Sequence, residues 1–202
     1  MSPDSAAAAA APAPGKLLIL TAPSGAGKTT LVRHLLQHFP QLAFSVSATT
    51  RPPRPGEVDG RDYHFLTAEA FARRIAAGAF VEYEEVYPGR FYGTLHSELH
   101  RIWAEGRVVV FDIEVKGATR IKRHYPDHTL AIFVAPPSEE ILFQRLRDRS
   151  TEDADSLRVR IARAGEELSY RNTFDRVLIN DDLPTALAEV EALTQAFLKP
   201  VK

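Results

Sequence analysis

The sequence predicts an α/β fold in which helices cover both faces of a parallel sheet. An apolar strand, a glycine-bearing loop and a helix follow one another over residues 17–36. Two further short apolar runs, at 107–113 and 129–135, alternate with amphipathic segments. Continuously apolar runs are typical of parallel strands that are covered on both faces. Together these observations predict an open parallel sheet in a three-layer α/β/α sandwich.

Residues 22–29 read Ala-Pro-Ser-Gly-Ala-Gly-Lys-Thr and are predicted to form a phosphate-binding loop. Such a loop turns its backbone N–H groups inward at the positive end of the following helix, which makes an anion cradle. Lys28 is expected to reach the β- and γ-phosphates of a triphosphate, and the Thr29 hydroxyl to bind Mg²⁺. Ala22 stands where glycine usually begins such a loop, and it fits only if its φ is ordinary. The alternative is a glycine-rich turn without a ligand, which the Lys-Thr pair and both flanks disfavour.

The composition is typical of one soluble globular domain. With 202 residues, the chain is long enough for one packed core and too short for two ordinary domains. The net charge of −1 argues against a broad surface for nucleic acid or for membranes, and no apolar run approaches the ~20 residues of a membrane span. The chain has no cysteine, which excludes disulfides and thiolate metal sites and agrees with the reducing cytoplasm, the predicted location.

The first half of the chain is predicted to alternate strands and helices around one irregular loop. Residues 1–14 are rich in Ala and Pro and are expected to form a disordered tail. Residues 48–61 carry prolines and charges without periodicity, so an exposed, stiff loop is expected there. The predicted strands are 16–21, 43–47, 63–66, 80–86 and 91–94, and the predicted helices are 28–38, 67–77 and one that ends at Gly106.

The second half continues the alternation after the apolar strand at 107–113. A strand at 129–135 is followed by a helix that begins near Ser138 with two glutamates in its first turn. Residues 145–163 are crowded with charge and poor in large apolar side chains, so a mobile helical excursion over solvent is expected rather than core. A last short strand at 176–180 precedes a closing amphipathic helix that carries Leu187, Val190, Leu193 and Phe197.

Several motifs outside the phosphate loop resemble those of the guanylate kinase family. The longest is the segment 45–57, Ser-Val-Ser-Ala-Thr-Thr-Arg-Pro-Pro-Arg-Pro-Gly-Glu, which Asp62-Tyr63 follows. The resemblance covers everything after the tail, in the family's order and spacing. The other matching motifs are Phe80-Val81-Glu82-Tyr83, Tyr92-Gly93-Thr94, Asp112-Ile113-Glu114, Ala135-Pro136-Pro137-Ser138, the arginines of the lid and Asn180-Asp181-Asp182.

This resemblance implies an enzyme that transfers the γ-phosphoryl group of ATP to GMP, and to dGMP, with Mg²⁺ as cofactor and ADP as the second product. It also implies a P-loop kinase core over 15–47, 99–136 and 166–202, a nucleoside-monophosphate-binding insertion over 48–98 and a helical lid over 137–165. ATP and GMP are then the partners, without nucleic acid or membrane, and the oligomeric state is left open.

Arg51 and Arg54 are candidates for the GMP phosphate. They lie three residues apart on the proline-stiffened loop, suited to grip one phosphate by bidentate hydrogen bonds. By resemblance, Tyr63 and Tyr92 donate hydroxyl groups to the same phosphate. Solvated arginines and core tyrosines are the alternative for any one of them alone, but their joint presence favours the site. The whole set assigned to GMP is Ser47, Arg51, Arg54, Glu57, Tyr63, Glu82, Tyr92, Thr94, Asp112 and Glu114.

Glu82 is the candidate that selects guanine. A carboxylate accepts from both N1–H and the exocyclic amine of guanine, whereas adenine offers no such pair of donors on that edge. Discrimination can reach ~10⁴-fold if a wrong base leaves the carboxylate unpaired. Ser47 and Thr94 are expected to add hydroxyl contacts to the base. Alternatively, a glutamate between Val81 and Tyr83 in a strand simply faces solvent.

Asp112 ends a central strand, where ligands bind in such sheets. It is expected to hold a water on Mg²⁺ or to orient the acceptor phosphate. Glu114 and Lys116 stand where the family more often has Asp and Gln. The added methylene of Glu114 moves its carboxylate from the position that an Asp carboxylate takes, and Lys116 is either an extra phosphate ligand or an exposed side chain.

Arginines at 145, 149 and 160 have the spacing of the family's lid. Positioned guanidinium groups stabilise the charge that is spread over the transferring phosphoryl group, and one such arginine contributes 10³ to 10⁵ in rate in other systems. A charged surface helix is the alternative. With Lys28, these three arginines form the predicted catalytic set, and the set assigned to ATP is Ser24, Gly25, Ala26, Gly27, Lys28, Thr29, Thr30 and Asn180.

Two other functions fit parts of the pattern. One is a guanylate-kinase-like module that binds phosphorylated peptides without catalysis, which loss of Lys28 or of the lid arginines would favour. The other is a related kinase that acts on a phosphorylated sugar, which absence of Glu82 and of the Arg51/Arg54 loop would favour. All these residues are present, so the enzyme that acts on GMP is preferred.

Overall fold

The computed structural model describes residues 13–149 and 154–199. Strands and helices alternate along these residues, as the hydrophobic pattern predicts. The strands are β1 (Leu17–Thr21), β2 (Leu42–Phe44), β3 (Ala48–Thr49), β4 (His64–Phe65), β5 (Phe80–Tyr87), β6 (Arg90–Leu95), β7 (Val108–Ile113), β8 (Thr129–Ala135) and β9 (Arg176–Ile179). The helices are α1 (Lys28–His38), α2 (Ala68–Ala76), α3 (His96–Ala104), α4 (Val115–His124), α5 (Glu139–Arg149), α6 (Ala154–Ser169) and α7 (Leu183–Leu198).

The main sheet has five parallel strands in the order β2-β7-β1-β8-β9. Strand β1 lies at its centre, and all five of its residues are buried. The register pairs Leu20 of β1 with Asp112 of β7. The carboxyl end of β7 therefore lies beside the loop that follows β1, which is where ligands bind in sheets of this kind.

Helices cover both faces of this sheet, which confirms the predicted three-layer α/β/α fold. Successive side chains of a strand point to opposite faces. Leu18 and Leu20 accordingly pack on one face with residues of α1, α5 and α7, whereas Leu17 and Ile19 pack on the other with residues of α3 and α4. The continuous apolar run of β1 is explained by this burial on both sides.

A second sheet of four strands, in the order β4-β3-β6-β5, is built from the segment between α1 and α3. Strands β5 and β6 form an antiparallel hairpin, and the short β3 pairs with β6 and β4. The prediction that residues 48–61 form an exposed loop is therefore wrong at its start, because Thr49 is fully buried and Arg51 is only 6% exposed. A strand of two residues is too short to show an alternation of apolar and polar side chains in the sequence. Arg51 is buried by contacts with other segments, which the local sequence does not reveal.

The prediction that residues 145–163 lie outside the core is also partly wrong. Leu146 of α5 is buried and joins the cluster that α1 and α7 form, and the partly buried Ile161 of α6 packs against the same cluster. A few apolar positions at helical spacing suffice for this contact, although charges dominate the composition. The lid assigned to this segment, the domain boundaries and the mobility remain predictions.

Helix α4 is an element that the sequence pattern does not reveal. Its last turn carries Lys122, Arg123 and His124, which obscure the apolar stripe in the sequence. The buried residues Val115, Ala118 and Ile121 nevertheless follow a helical spacing. Within the described residues, no helix combines the length and the hydrophobicity that crossing a bilayer requires.

Candidate active site

The loop between β1 and α1 has the backbone geometry of an anion cradle. Gly25 and Gly27 adopt positive φ values of 90° and 92°, a conformation that favours glycine. Ala22 has no positive φ and is buried, so its methyl group fits where a glycine is more usual. Lys28, Thr29 and Thr30 then form the first turn of α1, whose N–H groups face the loop.

Asn180 follows the edge strand β9 and fixes this loop from the side. Its Nδ2 donates to the carbonyl oxygen of Ala26 at 2.7 Å, and its backbone N–H donates to that of Ala135 at 2.7 Å. Its own carbonyl oxygen accepts from both terminal nitrogens of Arg145 at 3.4 Å. The structure thus brings the predicted adenine residue, the loop and one predicted lid arginine together.

A Gly27→Ala variant tests how closely the loop is packed. A Cβ at Gly27 would lie 2.3 Å from Asn180 Nδ2, in addition to the strain of the positive φ. We expect a lower melting temperature and a KM for ATP raised by about tenfold, because Asn180 must move away from the loop. Steady-state kinetics and thermal unfolding measure both effects.

Gly56→Ala is the matched control. Gly56 also has a positive φ, of 87°, but among the described residues no atom lies within 4 Å of the position that its Cβ would take. This variant therefore carries the backbone strain without the collision. An equal rise in the KM for ATP in both variants would contradict the role assigned to the Gly27–Asn180 contact.

Lys28, Thr29 and Asp112 meet at the carboxyl end of β7. Lys28 Nζ lies 2.9 Å from Asp112 Oδ1 and donates to the carbonyl oxygen of Ile113 at 2.9 Å. The Thr29 hydroxyl donates to Asp112 Oδ2 at 2.8 Å. Burial disfavours the charge on Lys28, but Asp112 and Glu114 more than offset this, so the pKa of Lys28 is raised. Lys28 is therefore held as a cation at the mouth of the loop.

Arg51 and Glu57 form a closed pair within the loop after β3. The two terminal nitrogens of Arg51 donate to the two carboxylate oxygens of Glu57 at 2.7 and 2.6 Å. The backbone N–H of Arg54 also donates to Glu57, at 2.7 Å. The hydrogen bonds from Arg51, and to a smaller extent the one from Arg54, lower the pKa of Glu57 to about 2. Glu57 therefore orients the guanidinium of Arg51 and holds the backbone at Arg54, whereas its contact with GMP remains a prediction.

Two tyrosines complete this group. The guanidinium carbon of Arg51 lies 4.8 Å from the ring centre of Tyr63, and the rings of Tyr63 and Tyr92 meet edge to face at 6.0 Å. Burial is the main reason that the pKa of Tyr63 is raised, and the nearby Tyr92 adds to the rise. The Tyr63 hydroxyl therefore keeps its proton and can donate a hydrogen bond. Arg54, in contrast, is exposed.

Glu82 does not face solvent. It is 8% exposed and accepts from the hydroxyl of the fully buried Thr94 at 2.9 Å. Burial raises the pKa of the Glu82 carboxyl, and the Thr94 hydrogen bond and Arg120 oppose that rise in part. A Cβ at Gly117 of α4 would lie 2.9 Å from Glu82 Oε2, so glycine leaves the space that the carboxylate occupies. Ser47 is half-buried and immediately precedes β3.

Arg163 of α6 contacts a residue of its own helix and residues on two other parts of the chain. Arg163 Nε donates to Glu167 at 3.0 Å, NH1 donates to the carbonyl oxygen of Val86 at 2.8 Å, and NH2 lies 3.6 Å from Glu114. Burial and the nearby Glu114 raise the pKa of Glu167. This cluster joins α6 to the hairpin strand β5. Arg160 is half-buried on the same helix, whereas the side chain of Arg149 lies outside the described residues.

Comparison with known proteins agrees with this geometry. The family model described as guanylate kinase matches residues 14–197. The chain belongs to the guanylate kinase family. It is 50% identical over 182 residues to the guanylate kinase of Salinibacter ruber, covering 90% of this chain and 96% of the relative. It is also 46% identical over 184 residues to that of Chlorobium luteolum, covering 91% and 93% of the two chains.

The crystal structure of guanylate kinase from Anaplasma phagocytophilum is similar as well. It superimposes with a TM-score of 0.72 at 31% identity, covering 92% of this chain and 87% of that one. The family and the names of these relatives support a GMP kinase and do not favour the sugar kinase or the non-catalytic binding module.

Gly117, Arg163 and Glu167 are residues of this guanylate kinase fold that the sequence pattern does not single out. Gly117 lies in α4, an element that the pattern hides. Arg163 and Glu167 are two charges among many on a helix, and only their four-residue spacing distinguishes them. That spacing predicts a surface pair, not their contacts with Glu114 and β5.

Proposed function

We propose that this chain transfers the γ-phosphoryl group of ATP to GMP, giving ADP and GDP. The observation that carries the proposal is that the loop at 22–29 and the buried Glu82 both lie close to the carboxyl end of β7. The phosphate loop with Lys28 lies beside Asp112. Glu82, buried and bonded to Thr94, abuts Gly117 of the helix that begins just after Asp112. We propose that the first group of residues binds ATP and the second binds guanine.

The proposed ATP site is the loop at residues 22–29. Backbone N–H groups of the loop and of the first turn of α1 bind the phosphates, with Lys28 on the β- and γ-phosphates. Lys28 exchanges its bond to Asp112 for one to phosphate. Both are anionic, so the charge of Lys28 stays compensated in each state. Asn180 positions the loop, and we assign it the contact with adenine.

The oxygen atoms of Thr29 and Asp112 fit a magnesium ion. They lie 2.8 Å apart at the mouth of the loop, and a hydroxyl and a carboxylate are hard ligands of the kind that Mg²⁺ prefers. We propose that Thr29 binds Mg²⁺ directly and that Asp112 binds it through water. Bound there, Mg²⁺ would neutralise phosphate charge.

The proposed GMP site has one part for the phosphate and one for the base. Tyr63 and Tyr92 present two hydroxyl donors to the phosphate, and Arg51, whose fork is held by Glu57, contributes its positive charge. Arg54 joins them from the exposed side of the loop. Glu82 accepts from N1–H and the exocyclic amine of guanine, with Ser47 and Thr94 as hydroxyl neighbours and Glu114 near the acceptor phosphate.

Catalysis in this proposal consists of positioning and charge neutralisation. An ionised phosphate oxygen of GMP is already a nucleophile, so no side chain has to remove a proton. Arg145, Arg149 and Arg160 are proposed to stabilise the transferring phosphoryl group from the lid. Closure of the lid would exclude the water that otherwise hydrolyses ATP.

A coupled assay tests this function directly. The full chain is given ATP, Mg²⁺ and, in turn, GMP, dGMP, AMP, CMP and UMP, and ADP formation is followed. We expect the highest kcat/KM with GMP. Binding of phosphorylated peptides without GDP formation would instead support the non-catalytic module.

A Glu57→Gln variant tests whether Glu57 orients Arg51 for binding of the GMP phosphate. The amide accepts only one of the two Arg51 hydrogen bonds, so the guanidinium loses its fixed orientation. We expect the KM for GMP to rise by about tenfold, the equivalent of one charge-assisted hydrogen bond, with the KM for ATP unchanged. Arg61→Lys is the control, because Arg61 lies in the same loop with its side chain 64% exposed. An unchanged KM for GMP in Glu57→Gln would remove Glu57 from this role.

A further inference from the structure

Helices α1 and α7 bring three potential metal ligands together, apart from the residues assigned to the active site. His34 and His38 lie near the end of α1, and Glu191 faces them from α7. One ligand atom from each lies within 4.8 Å of the other two. His34 Nε2 is already in direct contact with Glu191 Oε1, and the two imidazole rings are 4.0 Å apart.

The residue types and spacing suit a transition-metal ion. Histidines at positions i and i+4 project from the same face of a helix, which is the arrangement that binds zinc in other helical sites. Two imidazoles and one carboxylate are also a known zinc ligand set. Ligand atoms that lie 2.0–2.1 Å from a tetrahedral ion are about 3.3 Å from one another. The ligand atoms here lie within 4.8 Å of one another, so they need to come closer together by about 1.5 Å. His34 and Glu191 have side chains that are 20% and 40% exposed and are therefore free to make this adjustment.

A hydrogen bond to the backbone prepares His38 for this role. Its Nδ1 lies 2.8 Å from the carbonyl oxygen of His34. A carbonyl oxygen only accepts, so Nδ1 carries the proton and the lone pair of neutral His38 is on Nε2. Metal-binding histidines in general have their second ring nitrogen bonded in this way, which fixes the tautomer and the ring orientation.

We propose that His34, His38 and Glu191 form a binding site for a divalent transition-metal cation, best matched by Zn²⁺. The ion lies between His34 Nε2 and Glu191 Oε1, neutral His34 then carries its proton on Nδ1, and solvent fills the fourth position. Mg²⁺ does not compete, because it prefers six oxygen ligands. The ion joins the end of α1 to α7, which already pack through Leu31, Leu35 and Val190. The site therefore stabilises the helix whose first turn carries Lys28 and Thr29.

Calorimetric titration of Zn²⁺ into the metal-stripped full chain, with excess Mg²⁺ present, tests this proposal. We expect one saturable equivalent of Zn²⁺. His38→Ala and Glu191→Gln should each weaken that binding by at least about tenfold, since loss of a ligand exceeds the usual effect of losing a second-shell partner. Zn²⁺ should raise the melting temperature of the parent but not that of His38→Ala.

His100→Ala is the matched control. His96 and His100 are also four residues apart on one helix, with rings 6.2 Å apart, but among the described residues no carboxylate completes a set there. This variant should bind Zn²⁺ as the parent does. The proposal is overturned if no saturable binding occurs, if His38→Ala and Glu191→Gln bind as tightly as the parent, or if His100→Ala loses as much. Melting temperatures without zinc verify that all three variants are folded.

Discussion

Lys28→Ala is expected to lower kcat by at least about 10³-fold, the effect of removing a principal electrostatic contact from a phosphoryl-transfer site. Lys28 is the cation at the mouth of the phosphate loop, and Asp112 and Glu114 keep it charged despite burial. Alanine leaves the γ-phosphate without this partner. The protein should stay folded, because Asp112 still accepts from Thr29. Single-turnover phosphoryl transfer and thermal unfolding measure the two effects.

Lys116→Ala is the matched control for this experiment. Lys116 lies on the neighbouring helix α4, is 46% exposed and pairs with the exposed Glu166 at 3.1 Å. If Lys116 is only an exposed side chain, its loss leaves kcat within about threefold of the parent. A large loss in Lys116→Ala would instead identify it as a phosphate ligand, and parent-like turnover in Lys28→Ala would contradict the mechanism.

Glu82→Gln is expected to reduce the preference for GMP over AMP, measured as a ratio of kcat/KM values, by ~10²- to 10⁴-fold. Glutamine offers one acceptor and one donor where guanine presents two donors, so the pairing with N1–H and the exocyclic amine fails. The Thr94 hydroxyl can still donate to the amide oxygen, which keeps the side chain in place. An unchanged ratio would remove Glu82 from the recognition of the base.

The same substitution should not destabilise the protein at neutral pH. Burial raises the pKa of Glu82, so the folded state holds this proton more tightly than the unfolded state. The contribution of Glu82 to the free energy of unfolding is therefore greatest below the ordinary glutamate pKa of 4.5 and declines as the pH rises through the raised value. Glutamine lacks this charge, so the variant should melt at or above the parent's temperature at pH 7.

Glu85→Gln separates recognition from general effects on the strand. Glu85 lies three residues further along β5 and is exposed. Its substitution should leave the GMP preference as it is in the parent. A lower preference for GMP in a stable Glu82→Gln variant then reports on the base contact and not on misfolding.

The central parts of the fold and of the site could be predicted from the sequence because they are local. The loop at 22–29 combines two glycines with positive φ and a helix start, and all of these are encoded within eight residues. Strands β1 and β8 are continuously apolar because they are covered on both faces. The arginines of segment 45–57 and the tyrosines at 63 and 92 follow the family's spacing, so the resemblance to guanylate kinases also rests on short segments.

Other features depend on contacts between distant segments, and periodicity does not encode these. The sequence leaves open whether Glu82 faces solvent, and only the packing of the hairpin against Gly117 buries it. The exposed loop expected at 48–61 begins as a buried strand because β3 pairs with β6.

The sequence by itself determines the parallel α/β core, the loop at 22–29 and the family, because short continuous segments of the chain encode each of them. The tertiary structure alone decides which charges are paired and which are buried. Arg51 with Glu57 and Arg163 with Glu114 are such pairs. The physical reason is that the energy of a charge depends on its surroundings, and those surroundings are supplied by other parts of the chain.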